Sequence, residues 1–257
     1  MNYTFNTNRF GKLFLKHTRE HYKGYLLSIA VLVGVMILGG SFLIYMVNVP
    51  IDKNAQTFLF MVLLLLAGTV FTSTIFTDLG DKKSAMPWLT LPASHFEKYL
   101  VAWIYSFLVF LVIYTVIFYL SVLSAINIKR FPNYQPDLLN VFEPQILQMY
   151  LVFALLHSIS FFGAIYFEKL HFIKTAVAFF ISMALLILIN KLILGALLGR
   201  AVEATPPFGN LLIADKGPTI DIHIIEKMQY PYMLCLIVAL AIIFWVGAYY
   251  RLKEKQV

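Results

Sequence analysis

Long stretches of this chain carry no charge at all. No Asp, Glu, Lys or Arg stands between Gly24 and Ile51, between Thr57 and Thr77, or between Tyr99 and Asn127. A bilayer excludes charge and a helix rises about 1.5 Å per residue, so apolar runs of about 20 residues match a hydrocarbon core of roughly 30 Å. Six such runs predict membrane-spanning helices over residues 25–47, 57–76, 99–123, 146–166, 175–198 and 231–250. The predicted architecture is therefore an all-α integral membrane protein forming one transmembrane domain over residues 1–257.

The polar segments between the runs refine this picture. Residues 8–23 place Arg9, Lys12, Lys16, Arg19 and Lys23 within an arc of about 80° on a helical wheel, and Phe10, Leu13, Phe14, His17 and His21 on another. This pattern predicts a basic amphipathic helix lying in the membrane surface, with its Phe and Leu in the acyl boundary and its cations on anionic headgroups. A simple basic flank of the first span is the alternative reading. Ser94 to Glu97, Ser-His-Phe-Glu, has the spacing of a capping box, so the third helix is expected to begin at about Ser94. Pro231 stands at a plausible first position of the sixth helix. Residues 199–229 are too apolar for a free loop and predict short re-entrant or interfacial pieces between spans five and six.

Lys and Arg set the orientation. The N-terminal segment, the 78–98 loop, the turn at 167–174 and the C-terminal tail together carry 13 of the 20, and the opposite side carries 7. Both termini are accordingly expected on the cytoplasmic side. Composition agrees with a membrane protein: 60% hydrophobic residues and 13% charged ones, about half the soluble average for charge. The net charge of +7 is accounted for by cytoplasmic cations, and no basic soluble domain is available to grip nucleic acid. The single cysteine, Cys235, excludes an intramolecular disulfide and a cysteine metal cluster.

The 78–98 loop, DLGDKKSAMPWLTLPASHFEK, combines six charges with Met86, Trp88, Leu89 and Leu91. Charge keeps it in water, while grouped apolar side chains suit docking onto a partner. Gly80-Asp81-Lys82-Lys83-Ser84 lacks the glycine loop that cradles phosphates, so the chain is not expected to bind ATP itself. Neither a His-Glu-x-x-His zinc pair nor a Gly-x-Ser-x-Gly nucleophile elbow is present. Polar residues inside the spans offer weaker candidates for a translocation path: His157, Ser158 and Ser160 in the fourth span, Thr69 and Ser73 in the second, and Asn190 in the fifth. His157 could serve as a proton relay or base, or simply bond another helix. The Ser and Thr residues equally suit bonds to their own backbone.

Taken together, the basic amphipathic start, six spans with both ends inside, the charged-apolar loop after span two and the apolar segment before span six make this chain resemble the permease subunit of the type 2 class of ABC exporters. The loop carries the more specific likeness: Asp81-Lys82, Ser84, Leu89, Leu91-Pro92-Ala93-Ser94 and Lys98 stand in the order typical of that family. Lys83-Ser84 replaces a common Gly-Thr, and Pro87 is additional. The resemblance implies a coupling helix at about Asp81 to Leu91, in which Asp81, Lys82, Lys83, Met86, Trp88, Leu89 and Leu91 meet a separate ATPase subunit. It further implies two ATPase copies holding the ATP and Mg, no cofactor in this chain, a second permease chain identical or paralogous, and a bacterial cytoplasmic membrane. The expected substrate is amphipathic or hydrophobic: a lipid, peptide or drug. The alternatives from other classes are a membrane scaffold or accessory subunit without transport, and a membrane-embedded enzyme using His157.

Overall fold

A computed structural model describes residues 5–47, 52–77, 91–128, 137–200, 202, 203, 205–207, 209, 211–213, 220–222 and 226–255. Six helices are long and apolar enough to cross a membrane. They are α1 (Thr7–Val47), α2 (Lys53–Thr74), α3 (His95–Ile128), α4 (Pro144–Tyr166), α5 (His171–Leu198) and α6 (Glu226–Glu254). Each apolar run lies within one of them, apart from the last two residues of the second. Local chemistry sets several of the ends. The Asp52 carboxylate accepts from the Ala55 N–H at 2.9 Å and starts α2. Ser94 starts α3 through the expected capping box, its hydroxyl accepting from Glu97 N–H while the Glu97 carboxylate accepts from Ser94 N–H. Pro144 occupies the first turn of α4, where its missing N–H costs nothing. Gly199, at φ 61°, closes α5 in the left-handed conformation that glycine adopts without strain.

Three expectations change. The basic amphipathic stretch is not a separate element, because α1 runs unbroken for 41 residues from Thr7 to Val47. Its Phe and Leu face is partly buried against the protein rather than left for lipid: Phe14 stacks on Tyr105 of α3 at 4.7 Å, and His17 lies 4.9 Å from the same ring. Pro231 sits inside α6, which begins five residues earlier at Glu226. Between α5 and α6 a short antiparallel ladder forms, with Leu211–Ile213 (β1) opposite Ile220–Ile222 (β2). Paired strands satisfy backbone groups that an irregular apolar segment would leave open.

The core is divided into two layers along the helices. Phe60 and Leu64 of α2, Phe110, Tyr114 and Phe118 of α3, and Phe153 of α4 form the first, with Met36 of α1 at its edge. Phe76, Tyr99, Phe161, Ile165, Ala248 and Leu252 form the second, nearer the start of α3 and the end of α6. At that end Asn6 meets Glu97 and Phe96 meets Tyr249, so both ends of the described chain lie on one side of the molecule. At the opposite end Lys53 pairs with Glu143 at 2.5 Å. There the buried Gln56 amide also donates to Asp137 O and accepts from Leu139 N–H, fastening the segment before α4 to α2.

Candidate functional site

Two polar constellations stand out against this apolar frame. The first is built around His157, which is fully buried in α4. Its Nδ1 lies 3.1 Å from Trp245 Nε1 of α6, and its Nε2 lies 2.9 Å from Ser106 Oγ of α3. An indole N–H only donates, so Nδ1 is the acceptor and the imidazole proton resides on Nε2. Nε2–H then donates to Ser106, whose own hydroxyl donates to Ala102 O at 2.8 Å. All polar atoms of the centre are therefore engaged, and three helices meet at one neutral ring. Phe107, Phe153 and Phe161 enclose it, with ring centroids 5.0, 6.0 and 5.4 Å away.

Ser106 reaches this position from an unusual stretch of backbone. Ile104–Val109 forms a π-helical segment within α3, which widens the turn and rotates the residues before and after it relative to one another. Tyr105, in the same stretch, faces α1: its hydroxyl bonds Thr18, and its ring stacks on Tyr25 at 5.4 Å. On the far side Tyr99 donates to Trp245 O at 2.9 Å, a second bond tying α3 to α6.

The second constellation fastens the start of the chain. The Glu97 carboxylate, fully buried, accepts from Arg9 Nε and Nη2 at 2.7 Å each, from Asn6 N–H at 2.8 Å and from Ser94 N–H at 3.0 Å. The bidentate Arg geometry is the strong form of a charged hydrogen bond. Glu97 stands before the charge-free run that begins at Tyr99, and the Arg9 guanidinium holds its carboxyl well below the usual carboxylate range, with Asn6 and Ser94 N–H adding to the effect. Asn6 also starts α1, its Oδ1 accepting from the N–H groups of Asn8 and Arg9. One carboxylate thus joins α1 to the first turn of α3.

The sequence-predicted residues distribute unevenly over this frame. His157 lies at the first centre, and the buried Ser158 donates to Leu155 O of its own helix. Ser160 is buried one turn along. Thr69 and Ser73 bond Leu65 and Val70 carbonyls, the backbone role open to such residues. Asn190 donates to Thr205 O near the far end of α5, away from His157. Of the loop residues, Asp81, Lys82, Lys83, Met86, Trp88 and Leu89 lie outside the described residues, while Leu91 is half-buried against the start of α3. Ser106, Trp245 and Arg9 were missed as site residues. The isolated His157 was a signal that donors must exist, but partners 51 and 88 positions away have no sequence mark.

The chemistry open to the His157 centre follows from its tautomer. A histidine that activates a serine accepts the hydroxyl proton; here the ring donates to Ser106 instead, and its other nitrogen is taken by Trp245. The arrangement fastens helices and holds no poised base. Among the described residues no group of three His, Cys, Asp or Glu could hold a metal. Comparison of the chain with family models, curated proteins and solved structures gives no match.

Proposed function

We propose that the chain is the permease subunit of an ATP-driven exporter of the type 2 ABC class, working as a dimer and coupled through the 78–98 loop to two separate ATPase subunits that bind ATP and Mg. The observation that carries this reading is the Glu97 clamp. It joins the basic start of α1 to the first turn of α3, at the C-terminal end of the loop, so a force on the loop would reach two membrane helices through one buried carboxylate. A clamp at the C-terminal end of the loop would pass a difference in partner affinity between two states to both helices, which is the requirement for coupling.

α5 adds support for the dimer, because none of its 18-residue apolar window is buried within this chain. It presents Phe180, Leu185, Ile189 and Leu192 to lipid or to a second permease chain. In this reading the end bearing Asn6 and Tyr249 faces the cytoplasm of a bacterial cell, and the substrate is an amphipathic or hydrophobic molecule. The enzyme alternative is weakened by the donor role of His157 toward Ser106.

The test is purification of the tagged chain from native membranes in mild detergent, with quantification of what accompanies it. The reading requires an ATPase subunit in about equal amount, lost on joint Trp88→Ala and Leu89→Ala substitution. Recovery of the intact chain without any ATPase rejects it.

A further inference from the structure

We infer that the π-helical segment Ile104–Val109 is a hinge, on which the preceding part of α3 swings together with the start of α1 against a fixed body made of α2, α4 and the rest of α3. The inference goes beyond the transport reading and does not depend on it.

The backbone at both edges of the segment is already placed for a change of hydrogen-bond register. At the first edge Ile104 N–H reaches both Leu100 O and Val101 O, and just past the last Phe110 N–H reaches both Phe107 O and Tyr105 O. A donor shared by two carbonyls passes from one to the other without being left open, which is what a bend inside a bilayer requires. The wide turn carries the extra residue that such a slip takes up or releases, and turns of this kind are where long helices kink. Ser106 lends its hydroxyl to the same place, donating to Ala102 O at 2.8 Å with Trp103 O also in reach at 3.4 Å.

The segment lies where two fastened bodies meet. On one side Glu97 bonds Arg9 and Asn6, and Tyr105 bonds Thr18, so the start of α3 carries the start of α1 with it. On the other side Tyr114 donates to Phe60 O at 2.7 Å and Tyr119 to Leu139 O at 2.5 Å, tying the rest of α3 to α2 and to the segment before α4. Gln56 and the Lys53–Glu143 pair close that body at its far end. Two bonds described above cross between the bodies: Tyr99 to Trp245 O, and Ser106 to His157, whose other nitrogen holds the Trp245 indole. Both converge on Trp245 and form a latch that holds the swinging part in place. Rings also meet across the boundary, Tyr99 on Phe161 and Trp103 on Trp245, and such contacts slide without opening a polar group.

The test is pulsed electron spin resonance on the full chain in lipid nanodiscs, with the exposed Cys235 replaced by Ser and nitroxides placed in pairs. Leu15 and Ile173, both exposed, report the start of α1 against the start of α5, which packs on α4 where Thr175 meets Gly163. Leu120 and Leu147, also exposed, report the fixed body. The first pair should show a second distance whose ratio to the main one rises about fivefold in Tyr99→Phe and about 25-fold in Tyr99→Phe with Ser106→Ala, the effect of losing one and two typical net hydrogen bonds. The second pair should keep one distance throughout. Deleting Leu108, an exposed residue of the segment, removes the extra residue while leaving both parts of α3 on their present faces, and should abolish the second distance. If the deletion variant does not fold, the latch variants decide the matter. A single distance for the first pair that neither latch variant changes overturns the hinge. An equal response of the second pair, or a second distance that survives in the folded deletion variant, overturns its placement at Ile104–Val109.

Discussion

α4 and α5 are adjacent in the chain, joined by a short turn, and they live in opposite surroundings. Of their apolar windows, 44% of α4 is buried within the protein and none of α5 is, although α5 is the more apolar of the two. In water the more apolar helix would be the buried one. In a bilayer lipid is as good a solvent for Leu and Ile as the protein interior, so apolar character does not select the interior. What selects it is close packing and polar bonding: α4 contributes His157, Ser158, Ser160, Gly163 and Ala164 to the core, and α5 contributes only His171 and Thr175, both in its first two turns.

The largest way to break this contrast is at the point where the two helices touch. A side chain on Gly163 would overlap Thr175, whose Cβ would lie 2.8 Å from the new Cβ. Thr175 is buried and its hydroxyl donates to His171 O, so it has little room to yield. Gly163→Leu should destabilise the protein by about 3 kcal/mol or detach the start of α5, read as a lowered thermal midpoint in detergent and as new reactivity of a cysteine placed at Thr175. Gly68→Ala tests the same principle between α2 and α4, where the new methyl would overlap the buried Phe153 ring and lie 3.0 Å from Phe110. A loss of about 2 kcal/mol is expected there. Unchanged stability in both variants would show that small residues do not set these approaches.

The polar half of the contrast is smaller per bond. His157→Leu keeps the volume but leaves Trp245 N–H without its acceptor and Ser106 without its ring donor, and should cost about 2 kcal/mol. Trp245→Phe, which removes the indole donor, should recover part of that loss when combined with His157→Leu, a non-additivity measurable by a double-mutant cycle. Glu97→Gln should cost about 1.5 kcal/mol and expose the first residues of α1 to protease, because the amide cannot replace a bidentate carboxylate. The depressed ionisation of Glu97 has the usual carboxylate sign: its stabilisation is complete at neutral pH and is lost as pH falls through the folded-state value, below the ordinary carboxylate range. The smallest effect is expected on α5, where Leu185→Ala or Ile189→Ala should change stability by less than about 0.5 kcal/mol in the isolated chain. A larger loss that depends on protein concentration would instead reveal a second chain on that face.

Some of this was legible beforehand because it is local. The capping box at Ser94 was readable from four residues, and its geometry is as expected. The wheel of residues 8–23 puts Phe14 and His17 on one arc, but both lipid and protein accept Phe and Leu, so the destination of that arc was not written in its pattern, nor was the turn of Arg9 from the basic arc to Glu97. α3 and its Tyr105 decided it. Glu97 shows the same limit in one residue: its bond to Ser94 follows from spacing, whereas its bond to Arg9 joins positions 88 apart.

The sequence by itself determined the number and apolar character of the helices long enough to span a membrane, since each depends on a continuous run matching the thickness of a hydrocarbon layer. Only the tertiary structure decided which helices are central and which peripheral, that His157 is a donor to Ser106, and that a single carboxylate joins α1 to α3. The physical reason is that apolar faces are interchangeable in lipid, so the choice among them rests on hydrogen bonds and close approaches between residues that are distant in the chain.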